Sequence, residues 1–151
     1  KVAVHALDDA SAKLAGDAGV DVLAHTPAER LSDATVAAWR GKAVISTLAA
    51  FNAPAAPDNL ARLRTAGCAI LYGTDLGNLR DAKPSLQEIA LLRQAGLDDA
   101  AITAAMTTTP IAFWGIPANN ASFLLLDRDP RVDASALLHP KAIWVEGKRV
   151  R

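Results

Sequence analysis

Four short apolar runs recur in the first half of the chain, at about residues 2–5, 20–25, 43–48 and 69–74, one every 20–25 positions. Each is too short to be a helix and reads as a buried strand. The stretches between them carry helix signals. Asp8 or Asp9 can cap a helix through Leu14 that ends near Gly16 and Gly19. Ser32-Asp33 can cap Ala34–Arg40 ahead of Gly41, and Asp58 can cap Asn59–Ala66 ahead of Gly67. Repeated strand–helix–strand units predict right-handed crossovers and a parallel sheet. After the fourth run, Pro84-Ser85 opens a helix with the apolar set Leu86, Ile89, Ala90, Leu91 and Leu92, and a further helix is expected from Asp98 to Phe113.

Beyond Gly115 the pattern changes. Ser122–Asp127 and Ala142–Val145 read as strands, Glu146-Gly147-Lys148 as a tight turn, and Arg149-Val150-Arg151 as the start of a returning strand. With no helical spacing visible there, the expected division is 1–115 for the strand–helix repeat and 116–151 for a small appended β-structure.

Within the strands, residues two apart share a face. His5 and Ala3 therefore point one way and Val2 and Val4 the other; Asp75, Gly73 and Leu71 oppose Ile70 and Tyr72. The small residues Ala3 and Gly73 are expected to leave room for an ion and a substrate beneath the polar groups.

Composition narrows the class. A chain of 151 residues with 51% hydrophobic and 21% charged side chains can build a real core. Sixteen basic and sixteen acidic side chains balance to zero, which argues against nucleic acid or a membrane surface as a partner. The single Cys68 excludes an internal disulfide framework and a cysteine-based zinc cluster. No apolar run approaches the roughly 20 residues of a membrane span. The chain opens on Lys1 already inside a strand, which suggests that a preceding part is missing and makes cytoplasmic placement only a default.

The candidate chemistry lies at the run ends: His5, His25 and Asp75 each terminate an apolar run. In a β/α barrel the strand C-termini converge on one face, where catalytic groups sit. Two imidazoles and a carboxylate meeting there are the parts of a divalent metal site. Thr26, Ser46 and Asn78 at the same rim are candidates to touch substrate, although loop polarity explains them equally well. His139, Cys68 and the tryptophans Trp39, Trp114 and Trp144 read as loop or packing residues.

At these residues the chain resembles the amidohydrolase superfamily, in particular its imidazolonepropionase-like and prolidase-like members. Val4-His5-Ala6 resembles the fifth barrel strand, Leu23-Ala24-His25-Thr26 the sixth and Tyr72-Gly73-Thr74-Asp75 the eighth. Thr109–Ile116 resembles the helix leaving the barrel. Asn120–Pro130 resembles a strand of the accessory β-sandwich, with Ser122 where the family usually has aspartate, and Val145–Lys148 resembles its closing hairpin. The resemblance implies the C-terminal half (strands 5–8) of a metal-dependent hydrolase TIM (β/α)8 barrel plus part of that sandwich. It implies one or two divalent metal ions, zinc foremost, with His5, His25 and Asp75 as metal ligands. Asp75 would also be catalytic as the proton shuttle, and His25 catalytic through contact with water or substrate. The reaction implied is hydrolysis of an amide-type C–N bond in a cyclic amide, a dipeptide or an N-acyl amino acid.

The family's His-x-His pair of the first strand and its fourth-strand lysine or glutamate are absent here. The implied partner is therefore the missing N-terminal half of the same enzyme, besides a small-molecule amide or peptide substrate; a homo-oligomer stays open. Two other readings use the same pattern. One is a non-catalytic, ligand-binding doubly wound domain, although His5–Asp9 stands where a Gly-rich phosphate loop belongs. The other is a half-barrel that scaffolds a partner chain.

Overall fold

The computed structural model describes residues 1–77, 83–117 and 121–151. The four apolar runs form strands β1 (Ala3–His5), β2 (Val22–Ala24), β3 (Ala43–Ile45) and β4 (Ala69–Leu71). All pair in parallel, in the order β1-β2-β3-β4. This order is sequential, with no reversal of the kind that creates a switch point in a doubly wound sheet among the described residues.

Register sorts the side chains into two faces. Val4, Leu23, Val44 and Ile70 lie side by side across the sheet. They pack into the main core with Ala12 and Ala15 of α1 (Asp9–Asp17), Leu60 and Leu63 of α4 (Ala56–Thr65), and Ile89 and Leu92 of α5 (Leu86–Gln94). On the opposite face Val22, Ala43 and Leu71 form a smaller cluster, joined by Phe113. Val22 and Leu23 are both fully buried although they point to opposite faces, as expected of an inner parallel strand. Burying each large aliphatic side chain contributes about 1.5–3 kcal/mol.

The helix starts follow the expected chemistry where a short polar side chain is available. Asp8 accepts from the Ser11 amide at 2.8 Å. Ser32 caps α2 (Asp33–Ala38), Ser85 caps α5, and Asp98 caps α6 (Asp99–Met106). Several boundaries differ from the sequence expectation. Helix α1 runs past Leu14 to Asp17, with Gly16 inside it; a Cβ at Gly16 would lie 2.9 Å from the Ala38 Cβ of α2's C-terminal turn, so this glycine serves the close approach of the two helices rather than ending the first. Helix α4 starts earlier than Asp58, which sits in its first turn, with Pro57 supplying the pre-set dihedral of a helix start. The helix expected over 98–113 is two helices, α6 and α7 (Thr108–Trp114), broken at Thr107, whose φ of −133° and ψ of −82° are not helical.

A three-stranded antiparallel sheet, β5 (Phe123–Leu125), β6 (Ala142–Val145) and β7 (Lys148–Arg149), follows. The β6–β7 hairpin turns on Glu146 (φ 50°) and Gly147 (φ 77°), both left-handed as a two-residue hairpin requires. Between β5 and β6 lies a 3-10 helix over Ala134–Leu138 that the sequence did not suggest; the Asp133 carboxylate caps it, and Ala134 and Ala136 are buried. Of the three tryptophans, Trp39 is a core residue that donates from Nε1 to the Ala12 carbonyl at 2.9 Å. Trp144 stacks on Phe123 at 4.7 Å. Trp114 departs from the packing expectation, being 42% exposed and in edge contact with Phe113. No helix among the described residues is long and apolar enough to cross a membrane.

Cys68 fits its packing role. It is buried and its thiol donates to the Trp39 carbonyl at 3.0 Å. Burial pushes its pKa up to about 11, so at pH 8 about one thiol in a thousand is ionised. Alkylation by iodoacetamide at pH 8 should therefore run at least about 100-fold slower in the native chain than in denaturant. Equal rates would show that Cys68 is not enclosed.

Candidate functional site

The C-terminal ends of the parallel strands bring the expected trio together. His5 ends β1; His25 follows β2 directly, across a cis peptide from Ala24; Asp75 lies past β4, which stops at Leu71 rather than continuing to Thr74. The two imidazole rings meet edge to face with centroids 5.1 Å apart. His25 Nε2 lies 3.9 Å from Asp75 Oδ1, and the two side chains are 14% and 17% exposed. His5 remains exposed on the edge strand. The trio therefore has a close pair, His25 and Asp75, with His5 against the ring of the first.

Two residues that the sequence reading did not single out shape this pair. Thr47 Oγ1 lies 2.9 Å from His25 Nδ1, a hydrogen bond that fixes the ring and leaves Nε2 facing Asp75. Phe51, at the end of α3 (Leu48–Phe51), places its ring 4.8 Å from that of His25 and 6.4 Å from that of His5. An apolar ring so placed keeps water from the imidazole. Burial is the main force lowering the His25 pKa; Asp75 opposes it by favouring the charged ring, and His5 adds to the lowering. His25 is thereby biased toward the neutral form, the form in which an imidazole donates a lone pair.

The loops carrying these groups are held by buried polar side chains. Asn59 of α4, fully buried, accepts from the Leu31 amide at 2.9 Å and donates to the Pro27 and Glu29 carbonyls at 3.0 and 2.7 Å, which pins the loop after His25. Glu88 of α5 accepts from the Leu48 amide at 3.0 Å and the Ala49 amide at 2.6 Å, which pins the turn between β3 and α3. Burial raises the Glu88 pKa, while hydrogen bonds from Ser46, Ala49 and Leu48 pull it back. The signal for Glu88 was present in the sequence: it is four residues from Leu92, so it shares the buried stripe of α5 that Leu86, 60% exposed, does not join.

The expected rim residues are otherwise placed. Thr26 and Ser46 are buried, and Thr26 Oγ1 has no hydrogen-bond partner among the described residues; Asn78 lies outside them. Gly73 does not open space for an ion. A Cβ there would come 2.4 Å from Ile45 Cγ2 and 2.8 Å from Thr47 Cγ2, so neighbouring side chains already occupy the position. His139 is exposed after the 3-10 helix, as a loop residue would be. Among the described residues no group of three or more His, Cys, Asp or Glu side chains is arranged to hold a metal ion. His5, His25 and Asp75 have suitable donor chemistry but do not by themselves complete such a site.

No protein-family model matches the chain, and no curated protein does. Solved structures do. A Xaa-Pro dipeptidase with bound methionine in its active site superposes with a TM-score of 0.82 at 18% identity, over 99% of this chain and 44% of its own. An amidohydrolase superposes with a TM-score of 0.77 at 20% identity, over 98% and 44%. Molinate hydrolase gives 0.68 at 16%, over 98% and 42%. The chain thus spans less than half the length of these structures, and it has the α/β fold of the C-terminal part of amidohydrolase chains.

Proposed function

We propose that this chain forms the C-terminal half of a metal-dependent amidohydrolase acting on an amide-type C–N bond, with residues 1–115 as half of the β/α barrel and 116–151 as part of an accessory sandwich. The observation that carries this reading is the His25–Asp75 pair, 3.9 Å apart beside His5 at the C-terminal end of a parallel sheet. Support comes from the fold shared with an amidohydrolase, a dipeptidase and molinate hydrolase. The substrate class is a small cyclic amide, dipeptide or N-acyl amino acid.

In this reading His5 and His25 are neutral nitrogen donors and Asp75 an oxygen donor, and side chains outside this chain complete the set. One or two divalent ions, zinc foremost, would acidify a water and polarise the scissile carbonyl when bound. The rest is done by the protein. Thr47 holds the His25 ring, Phe51 excludes water from it, and the Asp75 carboxylate takes the proton of the attacking water and returns it to the leaving nitrogen.

Asp75→Asn tests the shuttle. The amide keeps the shape but cannot carry the proton, so turnover by the full-length protein should fall by about 10²–10⁴-fold, with the fold intact by circular dichroism. In the metal-free variant the His25 pKa should drop further, since Asp75 is what opposes its lowering. Stability linked to His25 should then be lost as pH falls below about 6.5, because the unfolded chain takes up a proton that the folded imidazole resists. An NMR titration reads the shift. Activity within about tenfold of wild type would remove Asp75 from the mechanism.

The donor roles are separable as well. His5→Ala should reduce metal content, measured by elemental analysis of purified protein, more than His25→Ala does. His25 is held in the chain by Thr47 at Nδ1, and in this reading it can instead touch the water or substrate, whereas His5 is a ligand in either arrangement. Full metal occupancy in the His5 variant would contradict the assignment.

A further inference from the structure

We propose that Glu88 is a positioning residue whose buried carboxylate fixes the turn at Thr47 and, through it, the His25 ring beside Asp75. Glu88 is 2% exposed, and two amides converge on its carboxylate, from Leu48 at 3.0 Å and from Ala49 at 2.6 Å. A buried carboxylate persists only when such donors satisfy it.

The donors lead to the His25 side of the pair. The amides of Leu48 and Ala49 follow Thr47, the residue bonded to His25. Thr47 has a φ of 43°, a left-handed conformation that is costly for a β-branched side chain and persists only where its surroundings enforce it. Glu88 supplies that enforcement by gripping the next two amides, and the same turn carries Phe51 onto both imidazoles. On the other side, Ser46 Oγ accepts from the Gly73 amide at 3.3 Å, at the start of the Gly73-Thr74-Asp75 segment. Gly73 can approach this closely because it lacks the Cβ that would strike Ile45 and Thr47.

The first turn of the helix that carries Glu88 is itself tied to the end of β4. The Ser85 hydroxyl accepts from the Glu88 amide at 3.1 Å, and the Ser85 amide donates to the Tyr72 hydroxyl at 3.0 Å. Tyr72 immediately precedes Gly73, so the start of α5 is bonded to the segment that leads to Asp75. Glu88, 63 residues from His25 by sequence number, thus fixes the turn that orients its ring.

The proposal rests on the hydrolytic reading only for what the pair does; the clamp has its own readouts. Glu88→Gln keeps the size but turns one acceptor into a donor facing a backbone N–H. In the natural full-length protein, hydrogen exchange should accelerate at least tenfold at the Leu48 and Ala49 amides, while the Leu60 and Leu63 amides keep their protection. At pH 9, the 15N signature of the neutral His25 ring should move from one dominant tautomer toward a mixture. Thr47→Val should produce the same ring signature without loosening the Leu48 and Ala49 amides. The double variant should go no further than Glu88→Gln alone.

Glu88→Asp keeps the charge but withdraws it by one methylene; it should fall between wild type and Glu88→Gln, and it carries the same readouts if Glu88→Gln does not fold. On an amide substrate, kcat should drop at least tenfold with metal content retained. An inactive, metal-free wild type with the exchange and tautomer effects intact would sink the hydrolase reading and leave the clamp standing. Unchanged amide exchange, or faster exchange with an untouched His25 signature, would overturn the proposal.

Discussion

The candidate site depends on the in-register parallel pairing of four three-residue strands. Val4, Leu23, Val44 and Ile70 lie abreast, and that row is what the helices cover. Because side chains alternate, fixing this row fixes the neighbouring one: His5, Ala24, Ile45 and Leu71 must face the other way. His5 is thus set by the burial of Val4, one residue before it. A one-residue slip of β1 would exchange their faces, placing an imidazole in the helix-covered core and a valine at the site.

Strand pairing brings the chain ends near one another but does not aim the side chains. Two of the loops leaving the sheet, those after β2 and β3, are tied down by a polar group from a later helix. Asn59 satisfies three backbone groups of the segment after His25, and Glu88 satisfies two amides at the turn after β3. Backbone groups buried without partners would cost about 1–3 kcal/mol each, so these side chains make loops near the site compatible with burial. Local structure there is determined by contacts made 28–40 residues apart in the chain.

That separation decides what was legible in the sequence. The four strands were legible because β-branched and aliphatic runs between helix caps have few other uses; Asp8, Ser32, Ser85 and Asp98 act as caps through local hydrogen bonds. The hairpin at Glu146-Gly147 was legible for the same reason. Helix α3 was not, since four residues give no periodicity and its first amides are satisfied by Glu88, 39 and 40 residues away. The break at Thr107 did carry a signal, the β-branched run Thr107-Thr108-Thr109 ahead of Pro110, which the expectation of one continuous helix passed over. At the site, His5, His25 and Asp75 could be picked out by type and position. Thr47 and Phe51 could not, because their roles follow from how a short turn folds back over the imidazoles.

The electrostatics of the pair carry the last step. An imidazole shielded by Phe51 and next to a second imidazole would titrate low and, if protonated, would be a poor donor to a cation. Asp75 alone pulls the other way, favouring a charged His25 and so an ion pair that would occupy both donors. At 3.9 Å the two are close enough to interact but beyond a hydrogen bond, and burial outweighs the attraction. The result is a His25 ring biased toward its neutral form beside the Asp75 carboxylate. A shorter contact would favour a closed His–Asp ion pair, and a longer one would leave two independent groups. The placement of both residues, rather than either one's identity, therefore sets the charge state of this end of the sheet.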